Sequence, residues 1–198
     1  MGRRNIQEQR RLEIIKALNR CLLKKPYKDT TIKDIAAEAG INHGMLHYYF
    51  KQKEEILLAF VDYTLDKYKN GFLEWRNQHT AEEENPKKKL EAYFQYVNEK
   101  ITLNRNLSKV FMSLWEISLN NRKVKSKIKK VYQEWIDLCC EPIKDRYPAD
   151  DVRDIMYSVV AYLEGMAAFS VIFNLKRDEH KLILQKFQQG ILNGLFPE

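Results

Sequence analysis

The sequence predicts an all-α protein of 198 residues, with an N-terminal three-helix module over residues 1–53 joined to a C-terminal helical bundle over residues 54–198. Three observations carry that expectation. Apolar residues recur at i, i+3, i+4 and i+7 along most of the chain, the period of an amphipathic helix. Glycine is sparse, with 7 in the whole chain, and there is no β-hairpin signal. Residues 30–53 read as two short helices around a tight turn.

The first helix is expected from about Gln7 to Lys24, with Ile14, Ile15, Leu18, Cys21 and Leu22 as its apolar stripe. Ahead of it, Gly2 to Arg11 reads equally well as a solvated, disordered arm or as a segment whose Arg3, Arg4, Arg10 and Arg11 reach a phosphate or the minor groove. Thr31 is a good N-cap, and Asp34 three residues on places a carboxylate in the first turn, close to a capping box. Ile32, Ile35, Ala36 and Ala39 make one apolar face, and the small alanines let a neighbouring helix approach. Gly40 stands where the chain must leave the helix, a position that often needs a positive φ. Ile41 can fold back into the core, and Asn42 can cap the next helix.

In that helix Leu46 and Phe50 face inward at i, i+4, while His43, Gly44, Met45, His47 and Tyr48 face the other way. Lys51 and Lys53 follow, and Glu54 and Glu55 open another helix with charge that suits its N-terminus. Such a pair is a helix-turn-helix, whose second helix can enter the major groove of DNA. Its outward groups can hydrogen-bond or make apolar contacts with base edges and phosphates. A helical hairpin inside a core would share the turn. The combination of caps, turn, aromatic pair and lysines favours the DNA-facing reading.

Charge agrees with it. The formal net charge is +7, and residues 1–53 hold 12 Lys/Arg against 5 Asp/Glu, while the remainder holds 22 of each sign. The whole excess therefore falls in the first quarter of the chain, the electrostatic footprint of phosphate binding.

The fourth helix is expected from Lys53 to about Gln78, with Ile56, Leu57, Phe60, Val61, Thr64, Leu65 and Tyr68 at helical spacing. Thr80 to Lys89 reads as a loop and a helix start. Further helices are expected over Pro86–Asn104, Asn106–Leu119, Arg122–Arg146, Asp150–Leu175 and Glu179–Leu195. Ile155 to Leu175 is nearly apolar on all sides and long enough to span a bilayer. Glu164 interrupts it, with Tyr157, Ser158, Tyr162 and Ser170, so a helix buried in the protein or between subunits is expected, and no membrane. Gly165 and Gly190 would cost about 1 kcal/mol each in a helix interior. Close helix approach at a subunit interface, or packing within the monomer, would explain them.

Other function classes find little support. There is no glycine-rich phosphate loop, HExxH, GxSxG or CxxC, so neither an enzyme nor a cofactor is expected. Cys21, Cys139 and Cys140 form no disulfide framework or zinc spacing, and no basic cluster activates a thiol of the adjacent pair. His43 and His47 stand at i, i+4, a spacing that can bind metal, but no third ligand is obvious and no metal is expected. The N-terminus carries no apolar signal, so a cytoplasmic protein is expected. Tyr93, Phe94, Tyr96, Phe111, Met112, Trp115, Trp135, Tyr157, Tyr162, Met166 and Phe169 are candidate pocket walls, although such residues at helical spacing more often form core. Glu164 needs a partner, whether a cationic ligand, an Arg or Tyr of the protein, or solvent at an edge.

Residues 8–60 closely resemble the DNA-binding signature of the TetR family of bacterial transcription regulators. The resemblance lies in Thr30-Thr31-Ile32, Asp34-Ile35-Ala36, Ala39-Gly40-Ile41, Leu46-His47-Tyr48-Tyr49-Phe50 and Lys51-Gln52-Lys53. Beyond residue 60 it is one of length and helix pattern. It implies backbone contacts from Thr31 and Lys33, base-facing His43, Gly44, Met45 and His47, and phosphate contacts from Tyr48, Tyr49 and Lys53; the residue reading adds Asn42 and Lys51 to the candidate DNA-binding set. Many members have Ser at 42, Lys or Arg at 43, Thr at 45, Tyr at 47 and Gly before Tyr27; Asn42 keeps the capping chemistry and Pro26 should cost nothing in function, but His43 and Met45 change what can be read, so the operator sequence does not transfer. The resemblance further implies a homodimer through the last two helices and a palindromic operator. It also implies repression relieved by a small-molecule effector in the C-terminal bundle, and for that site Tyr93, Phe94, Phe111, Met112, Trp115, Trp135, Tyr162, Glu164 and Phe169 are the candidates. Glu164-Gly165 is similar to an Asp-Gly pair in the branch that includes choline-responsive repressors. Control by a protein partner, activation, or a helical interaction module without DNA are the alternatives.

Overall fold

The structure, a computed structural model, describes residues 3–197, with side chains described from Asn5 onward. Gly2 and the side chains of Arg3 and Arg4 lie outside the described residues. Among the described residues there are nine α-helices and no strand: α1 (Arg3–Leu22), α2 (Ile32–Glu38), α3 (His43–Tyr49), α4 (Lys53–His79), α5 (Pro86–Val97), α6 (Arg105–Asn120), α7 (Arg122–Cys140), α8 (Ala149–Ile172) and α9 (Arg177–Leu195). The chain divides into two compact units, Met1–Lys67 with Lys109–Lys129, and Tyr68–Ser108 with Lys130–Glu198. The boundary passes through α4, α6 and α7.

In the first unit α1, α2 and α3 pack on one another, and Ile14, Leu18, Ile35, Leu46, Phe50, Ile56, Leu57 and Phe60 are almost wholly buried. Each such side chain contributes roughly 1.5–3 kcal/mol of transfer free energy, so this small helical cluster is held mainly by burial. Cys21 is buried with them, as its place on the α1 stripe predicts. Ion pairs then tie α1 and the turn after it to α2: Arg20 and Lys24 to Glu38 at 2.8 and 2.5 Å, and Lys25 to Asp34 at 2.7 Å.

The first helix, expected from about Gln7, runs from Arg3 onward, so the described part of the Gly2–Arg11 segment is helix rather than a disordered arm. Arg10 pairs with Glu13 at 2.7 Å. Arg11 lies 4.0 Å over the Phe50 ring and donates to the Tyr49 carbonyl, so it braces the end of α3.

The second unit has an aliphatic core and an aromatic one. Leu90, Phe94, Ile136, Met156, Val159, Leu163, Leu184 and Leu192 belong to the first. In the second, Phe72 is ringed by Tyr93, Tyr96 and Trp135 at centroid distances of 5.0, 5.4 and 4.8 Å, with Trp75 at 6.1 Å. Three helices end earlier than their periodicity predicts. The helix expected to run to Asn104 stops at Val97 and continues as a π-helical turn, Asn98–Thr102, closed by Leu103 N–H on the Asn98 carbonyl at 2.9 Å. Asn98 and Gln188 exchange two buried amide hydrogen bonds there, at 2.7 and 2.9 Å. The helix expected to reach Arg146 ends at Cys140, because Pro142 supplies no N–H and restricts the residue before it, leaving a 3-10 turn over Glu141–Ile143. The helix expected to reach Leu175 ends at Ile172. Asn174 takes a left-handed φ of 53°, and Leu175 N–H closes the end on the Ser170 carbonyl.

α8 is long and apolar enough to cross a membrane by length and composition. Along it Val152, Met156, Val159, Leu163, Ala167 and Ser170 form one buried stripe. Tyr157, Phe169, Ile172 and, just past its end, Phe173 are uncovered. Among the described residues, and apart from the adjoining backbone of its own helix, a Cβ built at Gly165 or Gly190 meets no heavy atom within 4 Å, so packing within the monomer does not account for either glycine.

Candidate nucleic-acid interface

Local chemistry fixes α2 and α3. The Thr31 side chain accepts from the Asp34 N–H at 3.1 Å, and the Asp34 carboxylate accepts from the Thr31 N–H at 2.7 Å, a complete capping box. Hydrogen bonds from Lys25 and from Thr31 hold the Asp34 carboxyl far below the usual carboxylate range. α2 closes at Gly40, which has φ 67°. Its N–H bonds to the Ala37 carbonyl, and Ile41 N–H reaches back to Ala36, which is the Schellman arrangement. Asn42 caps α3 by accepting from Met45 N–H at 2.7 Å. Leu46 and Phe50 are fully buried and set the rotation of α3 about its axis.

That rotation turns the other face of α3 outward. Asn42, His43 and Gly44 are exposed, Met45 is 46% exposed and Tyr48 61%, while His47 and Tyr49 are half-buried. Nε2 of His43 lies 3.2 Å from Nε2 of His47, and the Tyr48 and Tyr49 rings meet edge-on at 5.1 Å. Thr31, Lys33 and Lys51 are exposed near the starts of α2 and α4, with the Lys51 ammonium on the His47 carbonyl at 3.2 Å. Gly44 leaves a gap in the exposed row, since a Cβ there would meet only Asn42 Oδ1, at 3.5 Å.

Lys53 sits differently from the others. Its ammonium donates to the carbonyls of Tyr27 and Thr30 at 3.0 and 2.8 Å and lies 4.2 Å over the Tyr27 ring. Burial lowers its pKa. Lys53 thus clamps the turn ahead of α2, a role visible only once Tyr27 and Thr30 are folded against it.

The candidate effector residues fall in both units. Phe111, Met112 and Trp115 belong to the first unit and are half-buried. In the second unit Tyr93 and Trp135 join the aromatic core, Phe94 the aliphatic core, and Tyr162 stacks on Phe187. Phe169 is 53% exposed and stacks on Phe173. Glu164 accepts a hydrogen bond from the Tyr132 hydroxyl at 2.6 Å, and burial lifts its carboxyl to about 7. Phe72 and Trp75 were missing from the candidates. Continuing the α4 stripe from Phe60, Thr64 and Tyr68 one and two turns further would have found them. Burial pushes the Cys139 thiol to about 12 and raises that of Cys140 as well, which keeps both protonated.

A capped helix pair with an exposed polar and aromatic face defines a helix-turn-helix protein. Residues 14–60 match the profile of the bacterial regulatory proteins, tetR family. A segment of 66 residues is 38% identical to YerO of Bacillus subtilis, described as an uncharacterized HTH-type transcriptional regulator, and covers 31% of this chain but only 23% of that protein. The fold is shared over nearly the full length with two solved structures. One is a putative transcriptional regulator from Saccharomonospora viridis in complex with choline, with TM-score 0.76, 18% identity, and 92% and 96% of the two chains covered. The other is the transcriptional regulator FadR from Bacillus subtilis in complex with stearoyl-CoA, with TM-score 0.72, 19% identity, and 94% and 97% covered. Over residues 14–60 the chain is thus similar to the tetR family of bacterial regulatory proteins, and over nearly its full length it shares the fold of these solved regulators.

Proposed function

We propose that this chain is a DNA-binding transcription regulator, a homodimeric repressor that leaves a palindromic operator when a small molecule binds its C-terminal domain. Residues 1–53 would form the DNA-binding domain and residues 54–198 the effector-binding and dimerisation domain. The observation that carries the reading is the outward face of α3. A helix capped at its start and anchored by Leu46 and Phe50 presents His43, Gly44, Met45, His47 and Tyr48 with no core role for any of them. Imidazoles can donate to or accept from base edges, and Met45 offers apolar contact to a thymine methyl. Thr31, Lys33, Tyr48, Tyr49 and Lys51 supply phosphate contacts around it, and the charge excess of residues 1–53 draws the duplex in. Lys53 acts by holding the Tyr27–Thr30 turn that precedes α2.

One copy of α3 reads only a few base pairs, so a second copy is needed to read a palindrome. The uncovered apolar side chains of α8, with Leu182 of α9, suit a second subunit, and the bare Gly165 and Gly190 allow its helices to approach. Structural neighbours that hold choline and stearoyl-CoA support a small-molecule effector. A ligand that favours the DNA-incompetent dimer would release the operator, and the operator would weaken that ligand by the same factor. A DNA target places the protein in the cytoplasm.

Two substitutions test the reading. Lys33→Ala should weaken binding to every duplex and lower the slope of log affinity against log salt by about 1. His47→Ala should leave that slope unchanged and relax discrimination at one base pair by roughly 1–3 kcal/mol. Gel-shift titrations against a matched and a scrambled duplex separate the two effects. Equal behaviour of both variants and the parent would refute the assignment.

A further inference from the structure

The outward face of α3 holds two imidazoles whose arrangement exceeds what base reading requires. Nε2 of His43 and Nε2 of His47 lie 3.2 Å apart, with ring centroids at 4.5 Å and planes at 88°. A first-row divalent ion bound at about 2.0–2.1 Å to each of two nitrogens at this separation would enclose an N–M–N angle of roughly 100°, between the tetrahedral and octahedral values. The spacing that closes a hydrogen bond between two rings is also the bite of a two-histidine chelate. We infer that His43 and His47 form a chelating site for Zn²⁺ or a neighbouring borderline-soft divalent ion, and that its occupation switches off sequence reading by α3.

The chemistry balances without an added reagent. In the metal-free pair one Nε2–H donates to the other Nε2. Metal binding moves that proton to Nδ1 of the same ring, so both Nε2 lone pairs face the ion and no net proton is released. Among the described residues no third His, Cys, Asp or Glu joins the pair. The ion therefore keeps open positions, filled by water, and the site is a reversible one rather than a structural zinc site. α3 owes its fold to Asn42, Leu46 and Phe50, so it stays folded with or without metal. The remaining histidines are placed elsewhere: His79 stacks on Trp75 and His180 is buried.

The second half of the inference rests on α3 being the DNA reader. Both imidazoles belong to the proposed base-facing set. Once locked on a hydrated cation their Nε2 atoms are taken from any base edge, while the added charge still attracts phosphate. Occupation should thus erase the preference for operator over scrambled DNA.

The test is calorimetric titration of the full untagged chain with Zn²⁺ alone, in parent, His43→Asn, His47→Asn and His79→Asn proteins, with thermal melts to confirm folding. The expected result is one ion per chain in the parent and in His79→Asn. Each α3 variant should bind more weakly by at least the roughly tenfold that losing even an outer-shell partner of a metal ligand costs. Loss of binding in His79→Asn alone, binding unchanged in both α3 variants, or no binding by the parent would overturn the site. Gel shifts with and without Zn²⁺ then test the switch. Adding Zn²⁺ should collapse the operator-to-scrambled affinity ratio of the parent and should not change whatever ratio His43→Asn shows without metal, and an unchanged ratio in the parent would overturn it. If the chain bound no DNA even in a chelator, the DNA reading would fail while the metal titration still decided the site.

Discussion

Gly40 and Gly44 stand four residues apart and answer to different constraints. Gly40 has φ 67° and closes α2 through two backbone hydrogen bonds, so Gly40→Ala should cost about 1–2 kcal/mol, read as a lower denaturant midpoint at unchanged slope. Gly44 is helical and exposed, and an added methyl meets nothing closer than 3.5 Å. Gly44→Ala should stabilise the fold by up to about 1 kcal/mol and yet weaken DNA binding, because its methyl enters the reading face. A variant that lost neither stability nor affinity would remove Gly44 from the interface. Caps of this kind were legible in the sequence because they are local: Thr31 to Asp34 and Asn42 to Met45 are three residues apart. The hydrogen bonds of Lys53 and Arg11 were not legible because their carbonyl partners lie 23 to 38 residues away, beyond the reach of a local pattern.

At the scale of elements, helical periodicity located every long helix but not every end. Pro142 was in plain view as a stop signal, whereas the π-helical turn at Asn98 coincides with an amide pair to Gln188, 90 residues on. α8 has the most testable chemistry. Burial raises the Glu164 carboxyl to about 7 from an ordinary 4.5, against the opposing hydrogen bond from Tyr132. Between those values the folded chain keeps a proton that the unfolded chain has lost, so stability falls as pH rises through the window and levels off above it. The loss is on the order of 3 kcal/mol, because each pH unit between the two values is worth about 1.4 kcal/mol. His180 acts with the opposite sign. Burial and the charge of Arg105 lower its pKa, so its contribution is lost as pH falls through the unfolded value of 6.5. Comparing the parent with Glu164→Gln in urea at pH 5 and pH 8 isolates the carboxyl. The variant should gain on the parent at pH 8 and not at pH 5. An equal difference at both pH values would show that the carboxyl ionises freely in the folded protein.

At the scale of the molecule, the sequence led to the family resemblance and to an all-α fold, but it could not sort the apolar side chains of α8 and α9 into those buried by their own chain and those left uncovered. The periodicity is the same for both. Phe169, expected at an effector site, is among the uncovered, and Ile172 and Phe173 are 65% and 64% exposed. Phe173→Glu should therefore leave the monomer folded and shift a dimer to monomers in sedimentation. If DNA reading needs two copies of α3, the same change should abolish operator binding while weak, salt-sensitive binding to any duplex persists. A parent that sediments as a monomer at all concentrations would contradict the subunit interface. The measurement that bears most directly on the central claim is footprinting of the DNA upstream of the protein's own gene across a salt series. The account predicts a protected inverted repeat, with half-sites about one helical turn or a multiple apart, and an affinity that falls steeply with salt, by a slope of about 0.9 for each phosphate contacted. No protection and no binding at low salt would contradict it.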